Sequence, residues 1–427
     1  MPSVLAGILI DILVVWNHVW WIVMPVIAAI FFWGAWEYYL HVRWFEGIKW
    51  KLLEIKIPKN VLKTPKAMEQ IFAAAHAPYS YGFRFFDKYW KGLHEDFFSF
   101  ELVGRAGETH FYLRLNEKFR NMMESAIYGQ YPEAEITEVD DYLKQMPAVL
   151  PNKELDLAGF EEVYAKPNPY PIRTYPMFED PTEERRIDPI ASFVEALSKL
   201  RGDQQFWLQL IIQPTGEDFV KEGQALVQKL LHLESEDTKK KSRFPKFDLG
   251  ITAHEAARAL FEHPGPPKEE KKKDQSWARF IISPGEKEIT EGISKKIAKF
   301  GFETTLRFVT IYPRSEGKAG ENAVMLGHGY IRQFNTQDMN ALRPDRETTS
   351  ASYAVRGLFK KTRLRWRKRI LYERYRHLTQ NHHKPILNIE ELATIFHFPI
   401  MTVATSELEK VESRKGTPPA ALPIVED

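Results

Sequence analysis

The stretch WKLLEIKIPKNVLKTPKAMEQIFAAAH (residues 50–76) changes its hydrophobic period partway along and therefore predicts two elements of different kinds. In its first part apolar residues alternate with charged ones, which is typical of a half-buried strand. These apolar positions are Leu53, Ile55 and Ile57. Thr64 and Pro65 then supply a helix cap and a proline at the first helical position. The apolar residues that follow have helical spacing: Met68, Ile71, Phe72 and Ala75.

The residues after this stretch add three strands and a second helix. Large apolar residues alternate at 98–102 and 111–115, and the sequence Gly-Arg-Ala-Gly at 104–107 predicts a hairpin turn between these two strands. Residues 119–127 have helical spacing, and 135–139 are predicted as a final strand. The order β-α-β-β-α-β is that of the split βαβ, or ferredoxin-like, unit. Because this fold serves many unrelated functions, it does not by itself identify an activity.

The second half of the chain repeats part of this pattern. Asp188 and Pro189 again supply a cap and a first-turn proline, and a nearly continuous apolar run at 206–212 predicts a buried strand. The other predicted elements are helices at 190–200, 219–231 and 289–300 and a strand at 304–312. We therefore predict an α+β protein in which an N-terminal transmembrane helix is followed by tandem ferredoxin-like domains.

The predicted organisation has four parts. They are a transmembrane anchor (1–44), a ferredoxin-like α/β domain (45–150), a second α/β domain with a charged loop at 235–275 (151–345), and a basic helical segment with a proline-containing C-terminal linker (346–427).

The N-terminal segment predicts the anchor because residues 12–36 contain no Asp, Glu, Lys or Arg. A helix of about 20 apolar residues crosses the hydrocarbon core of a bilayer. A cleaved signal peptide would have basic residues before its apolar core, but only Asp11 is charged there. A buried core helix would not concentrate large aromatic residues at its two ends, as the aromatic belts of membrane helices do. The predicted anchor residues are Trp20, Trp21, Pro25 and Trp36.

Basic residues flank this segment on one side only, and this asymmetry predicts its orientation. Arg43, Lys49 and Lys51 follow the apolar run, whereas no Lys or Arg precedes it. The positive-inside rule then places the N-terminus outside and the bulk of the chain in the cytoplasm. We predict a single-pass protein of the inner (cytoplasmic) membrane.

Residues 79–94 form an aromatic insertion between the first helix and the second strand. Its aromatic residues are Tyr79, Tyr81, Phe83, Phe85, Phe86, Tyr89 and Trp90. If exposed, they would form a docking surface for protein or membrane. The alternative, which we expect, is a loop folded over its own sheet.

Residues 356–376 contain ten basic residues and one acidic residue, with aromatic residues between them. Basic and aromatic residues together suit phosphate contact and base stacking. The apolar positions Leu364, Leu371 and Tyr375 also fit an amphipathic helix whose charges face water, lipid or an acidic protein. All three interpretations stay open at this point. The candidate residues for binding nucleic acid or a partner are Arg363, Arg365, Trp366, Arg367, Lys368 and Arg369.

Composition and motifs exclude several classes of function. The 59 basic and 57 acidic residues give a net charge of +2, which argues against a protein that binds polyanions over its whole surface. The absence of cysteine excludes disulfides, thiolate metal sites and cysteine nucleophiles. A phosphate-binding loop requires G-x-x-x-x-G-K-[ST], but Gly317-Lys318 is followed by Ala319. We predict no catalytic residues, no cofactor and no metal, and hence no enzyme.

Four stretches together resemble the N-terminal region of membrane-anchored type IV secretion and conjugation ATPases. They are residues 50–76, THFYLRLNEKFRNMMESAIYGQYPEAEITEVDDY (109–142), DPIASFVEALSKL (188–200) and PILNIEELATIFHFP (385–399), and the TPPAALP of 417–423 matches the family's proline-rich linker. The resemblance covers most of residues 45–423. The family would continue into an ATP-binding motor beyond Asp427, so the motor is expected to be a separate polypeptide or to have been lost by truncation.

The resemblance implies a non-catalytic scaffold of a conjugation-like transfer apparatus, which docks a separate hexameric P-loop ATPase at the cytoplasmic face of the membrane. The alternative is a membrane-tethered nucleic-acid-binding protein that uses the basic segment. The partners considered are membrane lipid, the separate ATPase, single-stranded DNA and a second copy of the chain.

Overall fold

A large antiparallel sheet with helices on both faces makes up most of the protein, which is therefore α+β. The computed structural model describes residues 2–58, 63–80, 82–178, 188–200, 202–231 and 284–399. The predicted charged loop at 235–275 and the proline-containing stretch at 417–423 lie outside the described residues.

The first half contains every element predicted for residues 50–139. Its strands are β1 (Trp50–Lys56), β2 (Phe98–Arg105), β3 (Glu108–Asn116) and β4 (Glu135–Glu138). Its helices, with the N-terminal helix, are α1 (Pro2–Glu46), α2 (Lys66–Ala75), α3 (Phe85–Tyr89) and α4 (Arg120–Gln130). Ala106 and Gly107 alone form the hairpin turn, with φ angles of 54° and 87°. Positive φ at both residues is the backbone conformation of the commonest two-residue hairpin.

The second half contains the predicted elements and others that were not predicted. Its strands are β5 (Leu155–Tyr164), β6 (Gln205–Pro214), β7 (Gly301–Pro313), β8 (Leu342–Pro344) and β9 (Ile386–Asn388). Its helices are α5 (Ala191–Ser198), α6 (Glu217–Leu230), α7 (Pro284–Ile297), α8 (Lys318–Asn322), α9 (Val324–Arg332), α10 (Lys360–Arg376) and α11 (Ile389–Ile395). Strand β5 was missed because Glu161 and Glu162, both buried, interrupt its apolar pattern.

All of these strands belong to one sheet of order β4-β1-β3-β2-β6-β7-β5-β8, with β9 added beside β7. The two halves meet where β2 pairs with β6, from Phe98 opposite Ile212 to Arg105 opposite Gln205. Each half has the same order when it is read from its outer edge: fourth strand, first, third, second. The predicted domain boundary at residue 150 therefore separates two halves that are hydrogen-bonded to each other through their second strands.

One face of the sheet is covered by α2, α4, α5, α9 and α11 and contains the larger apolar core. Alternate residues of the central strands point into this core, including Phe100, Leu102, Leu208, Leu210 and Phe308. Each is at most 1% exposed.

The segment 385–399 belongs to this same folded body. Its strand β9 pairs with β7, and Asn388 begins α11 with a capping box closed by Glu391. The Glu391 carboxylate also lies 3.1 Å from the Lys296 ammonium of α7, and both side chains are fully buried.

The opposite face of the sheet is covered by α10. Leu371, Tyr372 and Tyr375 of this helix pack on apolar residues of the strands beneath. These strand residues are Leu157, Trp207, Val309 and Ile311. Gly159 allows the close approach, because a Cβ atom there would lie 2.2 Å from the Phe308 carbonyl oxygen and 2.8 Å from Leu371 Cδ2.

The N-terminal helix α1 extends away from the sheet. Its part from Trp16 to Glu46 is 31 residues long and apolar enough to span a membrane, and its most apolar window is not buried within the protein. Residues 85–90 of the aromatic insertion do not fold over the sheet, so that expectation was wrong for this part. Its helix α3 packs on α1 instead, because the indole rings of Trp33 and Trp36 offer it aromatic contacts and a hydrogen bond to the Tyr89 carbonyl.

The packing of α10 on Gly159 predicts a sharp difference between two glycines. Gly159→Ala should lower the free energy of unfolding by about 1–3 kcal/mol, because the methyl group must displace strand backbone or helix α10. Gly129→Ala in α4 should not destabilise the protein, since a Cβ there meets nothing within 4 Å and alanine favours a helix. Denaturant unfolding of the full chain in detergent measures both. Equal changes in the free energy of unfolding for the two variants would contradict the close approach of α10 to Gly159.

Candidate interaction surface on a basic helix

The basic residues of α10 divide between two sides of the helix, and those on the inner side fix it to the body. The Lys368 ammonium lies 2.8 Å from the Asp156 carboxylate, with only 6% of the lysine side chain exposed. Arg367 donates to the carbonyl oxygens of Arg346 and Thr349 at 2.7 and 3.1 Å. These contacts, made by charged groups to fixed partners, hold the helix in one orientation.

Beneath α10 a row of polar side chains crosses the middle of the sheet. Glu101, Gln209, Arg307 and Glu161 stand directly opposite one another on β2, β6, β7 and β5, and all four are fully buried. The Arg307 guanidinium donates to Glu161 Oε1 at 2.8 and 2.5 Å and to Gln209 Oε1 at 2.5 Å. Cross-strand neighbours at this spacing interact directly, so the row bonds the two halves of the sheet side chain to side chain.

The C-terminal end of α10 closes the row at Arg307. The last carbonyl groups of a helix lack intrahelical donors and carry a partial negative charge. The Arg374 carbonyl in the last turn of α10 and the Thr379 carbonyl, three residues beyond the helix, accept from the Arg307 guanidinium at 3.1 and 2.6 Å. The Arg374 side chain in turn donates to Glu161 Oε2 at 2.9 Å.

At its other end the row is closed by two tyrosines and a second arginine. Tyr142 donates to Glu101 Oε2 at 2.8 Å, and its hydroxyl oxygen lies 2.7 Å from that of Tyr375. Burial, and then Glu101, raise the pKa of both phenols well above the ordinary value, so they stay protonated. Arg114 donates to Glu101 at 3.1 Å and to Asp141 at 2.6 Å.

The charges of this network balance within it. Its three carboxylates and three guanidinium groups are those of Glu101, Asp141, Glu161, Arg114, Arg307 and Arg374. Buried charges are tolerated when they are paired and hydrogen-bonded, as these are. The network therefore needs no ligand charge to complete it, and its role is to position α10.

The outer side of α10 carries the exposed residues. Arg363, Arg365 and Arg369 are exposed, and Trp366 between them is 64% exposed. Just before the helix, Leu358 and Phe359 are exposed as well. Tryptophan and arginine are the residues most often found at the energetic centre of protein interfaces. We call the exposed residues Arg363, Arg365, Trp366 and Arg369 the outer face.

A groove of about 610 Å³ runs along one edge of this helix. The groove is lined by Arg363, Trp366, Arg367 and Arg374 together with Asp345 and Glu347. A neighbouring cavity of about 910 Å³ shares both acidic residues. The acidic residues weaken the attraction of the arginines for a phosphate backbone, and Glu347 can pair with a basic group of a protein. The mixed charge of the groove therefore suits a protein partner better than a nucleic acid.

The six residues predicted from the basic segment separate into two groups. Arg363, Arg365, Trp366 and Arg369 lie on the outer face, whereas Arg367 braces a loop. Lys368 is buried in its ion pair with Asp156 and cannot meet a partner, so its inclusion in the binding set was wrong. The sequence held a signal for this: residues 368, 371, 372 and 375 have the spacing of one helical face, and the last three are apolar or aromatic.

The predicted anchor residues all lie on α1. Trp20 and Trp21 are 48% and 61% exposed, and Pro25 is exposed within the unbroken helix. Trp36 is half-buried, because its ring packs against α3 and its Nε1 donates to the Tyr89 carbonyl.

One group of titratable residues was not found from the sequence. Neither carboxylate oxygen of Glu162 has a hydrogen-bond partner among the described residues, and burial raises the pKa of this carboxyl to about 8. Nearby, Tyr353 and His328 are hydrogen-bonded at 2.6 Å, and burial, then Arg332, lower the pKa of His328 to about 4. Within the described ranges there is no group of three or more His, Asp or Glu residues that could hold a metal ion.

The chain matches a family described as a domain of unknown function (DUF8128) over residues 43–410, and it belongs to this family. The comparison with curated proteins gives no match.

Glu162 predicts an unusual dependence of stability on pH. Its pKa is 4.5 in an unfolded chain and about 8 when folded, so between these values the native state binds the extra proton. Stability should therefore fall as pH rises from about 5 to about 8, by on the order of several kcal/mol if Glu162 acts alone. Glu162→Gln should remove this fall.

The measurement is denaturant unfolding of the full chain at both pH values. Glu133→Gln, at an exposed position, is the matched control and should leave the fall in place. A fall of the same size in Glu162→Gln would assign it to other groups.

Proposed function

We propose that this member of the DUF8128 family is a non-catalytic, membrane-anchored scaffold that docks a partner protein through the outer face of α10. The main observation that supports this proposal is the contrast between the two sides of this helix. Its inner side is fixed by buried ion pairs, while its outer side exposes one tryptophan among three arginines. A rigid helix binds a partner with little loss of conformational freedom, which favours docking.

The proposed anchor is α1, which would cross the inner membrane once with its N-terminus outside. Its length, its uncharged run and the basic residues Arg43, Lys49 and Lys51 after it support this placement. The proposed body consists of two ferredoxin-like units placed in tandem. The shared strand order of the two halves, each fourth-first-third-second from its outer edge, supports that assignment.

The partner we propose is a separate hexameric P-loop ATPase of a type IV secretion or conjugation-like apparatus. Its support is the resemblance of residues 50–76, 109–142, 188–200 and 385–399 to the region that precedes the motor in such ATPases. The groove adds chemical support, since its lining contains both acidic and basic side chains and so suits a protein surface of mixed charge.

A membrane-tethered nucleic-acid-binding protein is the second candidate. The observation that favours it is the exposed Trp366 ring with exposed arginines on either side, an arrangement that can stack a base and meet phosphates. Asp345 and Glu347 in the adjoining groove and the small net charge of +2 weigh against it.

Removing the outer-face charges separates the two candidates. The triple variant Arg363→Ala, Arg365→Ala, Arg369→Ala should abolish co-purification of the ATPase with the full chain in mild detergent. If the arginines instead contact the phosphates of single-stranded DNA, the slope of log affinity against log salt concentration should become less steep by about two, because each lost contact changes this slope by about 0.7.

The matched control removes three exposed lysines elsewhere, Lys144, Lys229 and Lys318, and should leave co-purification intact. Two results together would favour the nucleic-acid-binding protein over the scaffold. No ATPase would co-purify with the wild-type chain, and the triple variant would show a weaker salt dependence of DNA affinity.

Orientation is tested independently. A reporter that is active only in the cytoplasm, fused after Asp427, should be active, and the same reporter fused before Met1 should be silent. Activity in the opposite pattern would place the body outside the membrane and remove it from any cytoplasmic ATPase.

A further inference from the structure

We infer that α3 and Trp90 insert into the headgroup region of the same bilayer, on the cytoplasmic side of α1, as a second membrane contact. The ligand is a phospholipid surface, which the aromatic side chains enter while neighbouring basic residues meet its phosphates. This inference rests on the proposed membrane anchor and goes beyond it, because it gives a membrane role to residues outside α1.

The position of α3 is fixed by its contacts with α1. The Trp33 ring lies 6.5 Å from that of Phe85 and 5.4 Å from that of Tyr89, measured between ring centroids. Further along, Trp36 lies 6.2 Å from Trp90 and donates from Nε1 to the Tyr89 carbonyl at 2.8 Å. Residues 85–90 therefore lie level with residues 33–36 of α1.

That level is the boundary of the uncharged run in α1. The run ends at Trp36, and Glu37 is the first charged residue after it. Trp33 lies four residues before Glu37, or about 6 Å along a helix. Since membrane helices have their aromatic belts at this depth, α3 lies where the hydrocarbon core meets the headgroups.

The side chains that α3 exposes are apolar and large. Phe85, Phe86 and Trp90 are 71%, 57% and 67% exposed. Phe86 and Trp90 stack on each other at 5.9 Å, forming one continuous aromatic surface. Such a surface is costly in water, whereas rings of this kind are favoured at the membrane interface.

Basic residues surround this aromatic surface. Arg84, Lys88 and Lys91 are exposed, and the one acidic residue of α3, Asp87, is paired with Lys91 at 2.8 Å. A cavity of about 590 Å³ beside Trp90 is also lined by Arg43 and Lys91. Positive charge around an apolar surface is complementary to lipid phosphates. The binding partner of this aromatic surface is therefore the membrane rather than a soluble protein.

The absence of native cysteine allows a direct test. Single cysteines are introduced in the full chain at Phe86, at the exposed Phe31 of α1, and at the exposed Met325 of α9. Each is labelled with an environment-sensitive fluorophore and reconstituted into vesicles of phosphatidylcholine and phosphatidylglycerol. Quenching by a nitroxide-labelled phospholipid reports lipid contact, and quenching by aqueous iodide reports exposure to water.

The label at Phe86 should behave like that at Phe31, with several-fold more lipid quenching and less iodide quenching than at Met325. If Phe86 behaves like Met325 while Phe31 contacts lipid, the anchor stands and the inference is overturned. Protection of Phe86 from iodide without lipid quenching means that protein covers α3, which also overturns it. Water exposure at Phe31 would instead defeat the proposed anchor.

Charge reversal supplies a second variant. Arg84→Glu with Lys88→Glu should reduce lipid quenching at Phe86, because these residues then repel lipid phosphates, and should leave Phe31 unchanged. Equal lipid quenching at Phe86 with and without the reversal would overturn the assignment of these two residues to phosphate contact.

Discussion

The buried guanidinium of Arg307 connects more of the structure than any single apolar contact described. It pairs with Glu161 on β5, donates to Gln209 on β6, and donates to the backbone carbonyls of Arg374 in α10 and of Thr379 just after it. A buried charge that lost one of these partners would cost several kcal/mol, so the strands and the helix must assemble together. The orientation of the outer face of α10 follows from that requirement.

Local patterns in the sequence predicted the elements that have one apolar side. Strands β1 and β3 and helices α2 and α4 were predicted because water covers part of each, which leaves a regular alternation or a helical period. Strand β2 was predicted because the buried polar residues Ser99 and Glu101 alternate with its apolar residues. Strand β5 was missed, because a strand buried on both faces that also carries Glu161 and Glu162 has no such pattern. The pairing of β2 with β6 was not predicted either, because two strands a hundred residues apart in the chain show no local sequence pattern that indicates their pairing.

Prediction from local sequence was limited in the same way for the individual residues of the candidate interaction surface. Charge density alone identified the basic segment, but it could not separate the residues that bind the body from those that face outward. Lys368 and Arg369 are neighbours of the same charge, yet one is buried against Asp156 and the other is exposed. The carboxylate that pairs with Lys368, that of Asp156, lies 212 residues away in the chain.

The C-terminal end of α1 and the segment just after α10 meet in one apolar cluster. Trp44 and Phe45 of α1 pack with Leu378, two residues after the end of α10, against Phe97 and Ile211 of the sheet. The proposed anchor and the proposed docking helix therefore share a common base. A partner held on α10 would be held at a defined height and angle to the membrane, without a flexible connection between them.

The short outer strands of the sheet bear on how copies of the protein could associate. β4 has four residues and includes Glu135 and Glu138, while β8 has three and ends in Pro344, which has no backbone N–H to donate. Short, charged or proline-containing edges resist the addition of another strand. The long inner edges of the two halves are already paired with each other. Growth of the sheet from molecule to molecule is therefore disfavoured, so that many copies could lie close together without joining into β-aggregates.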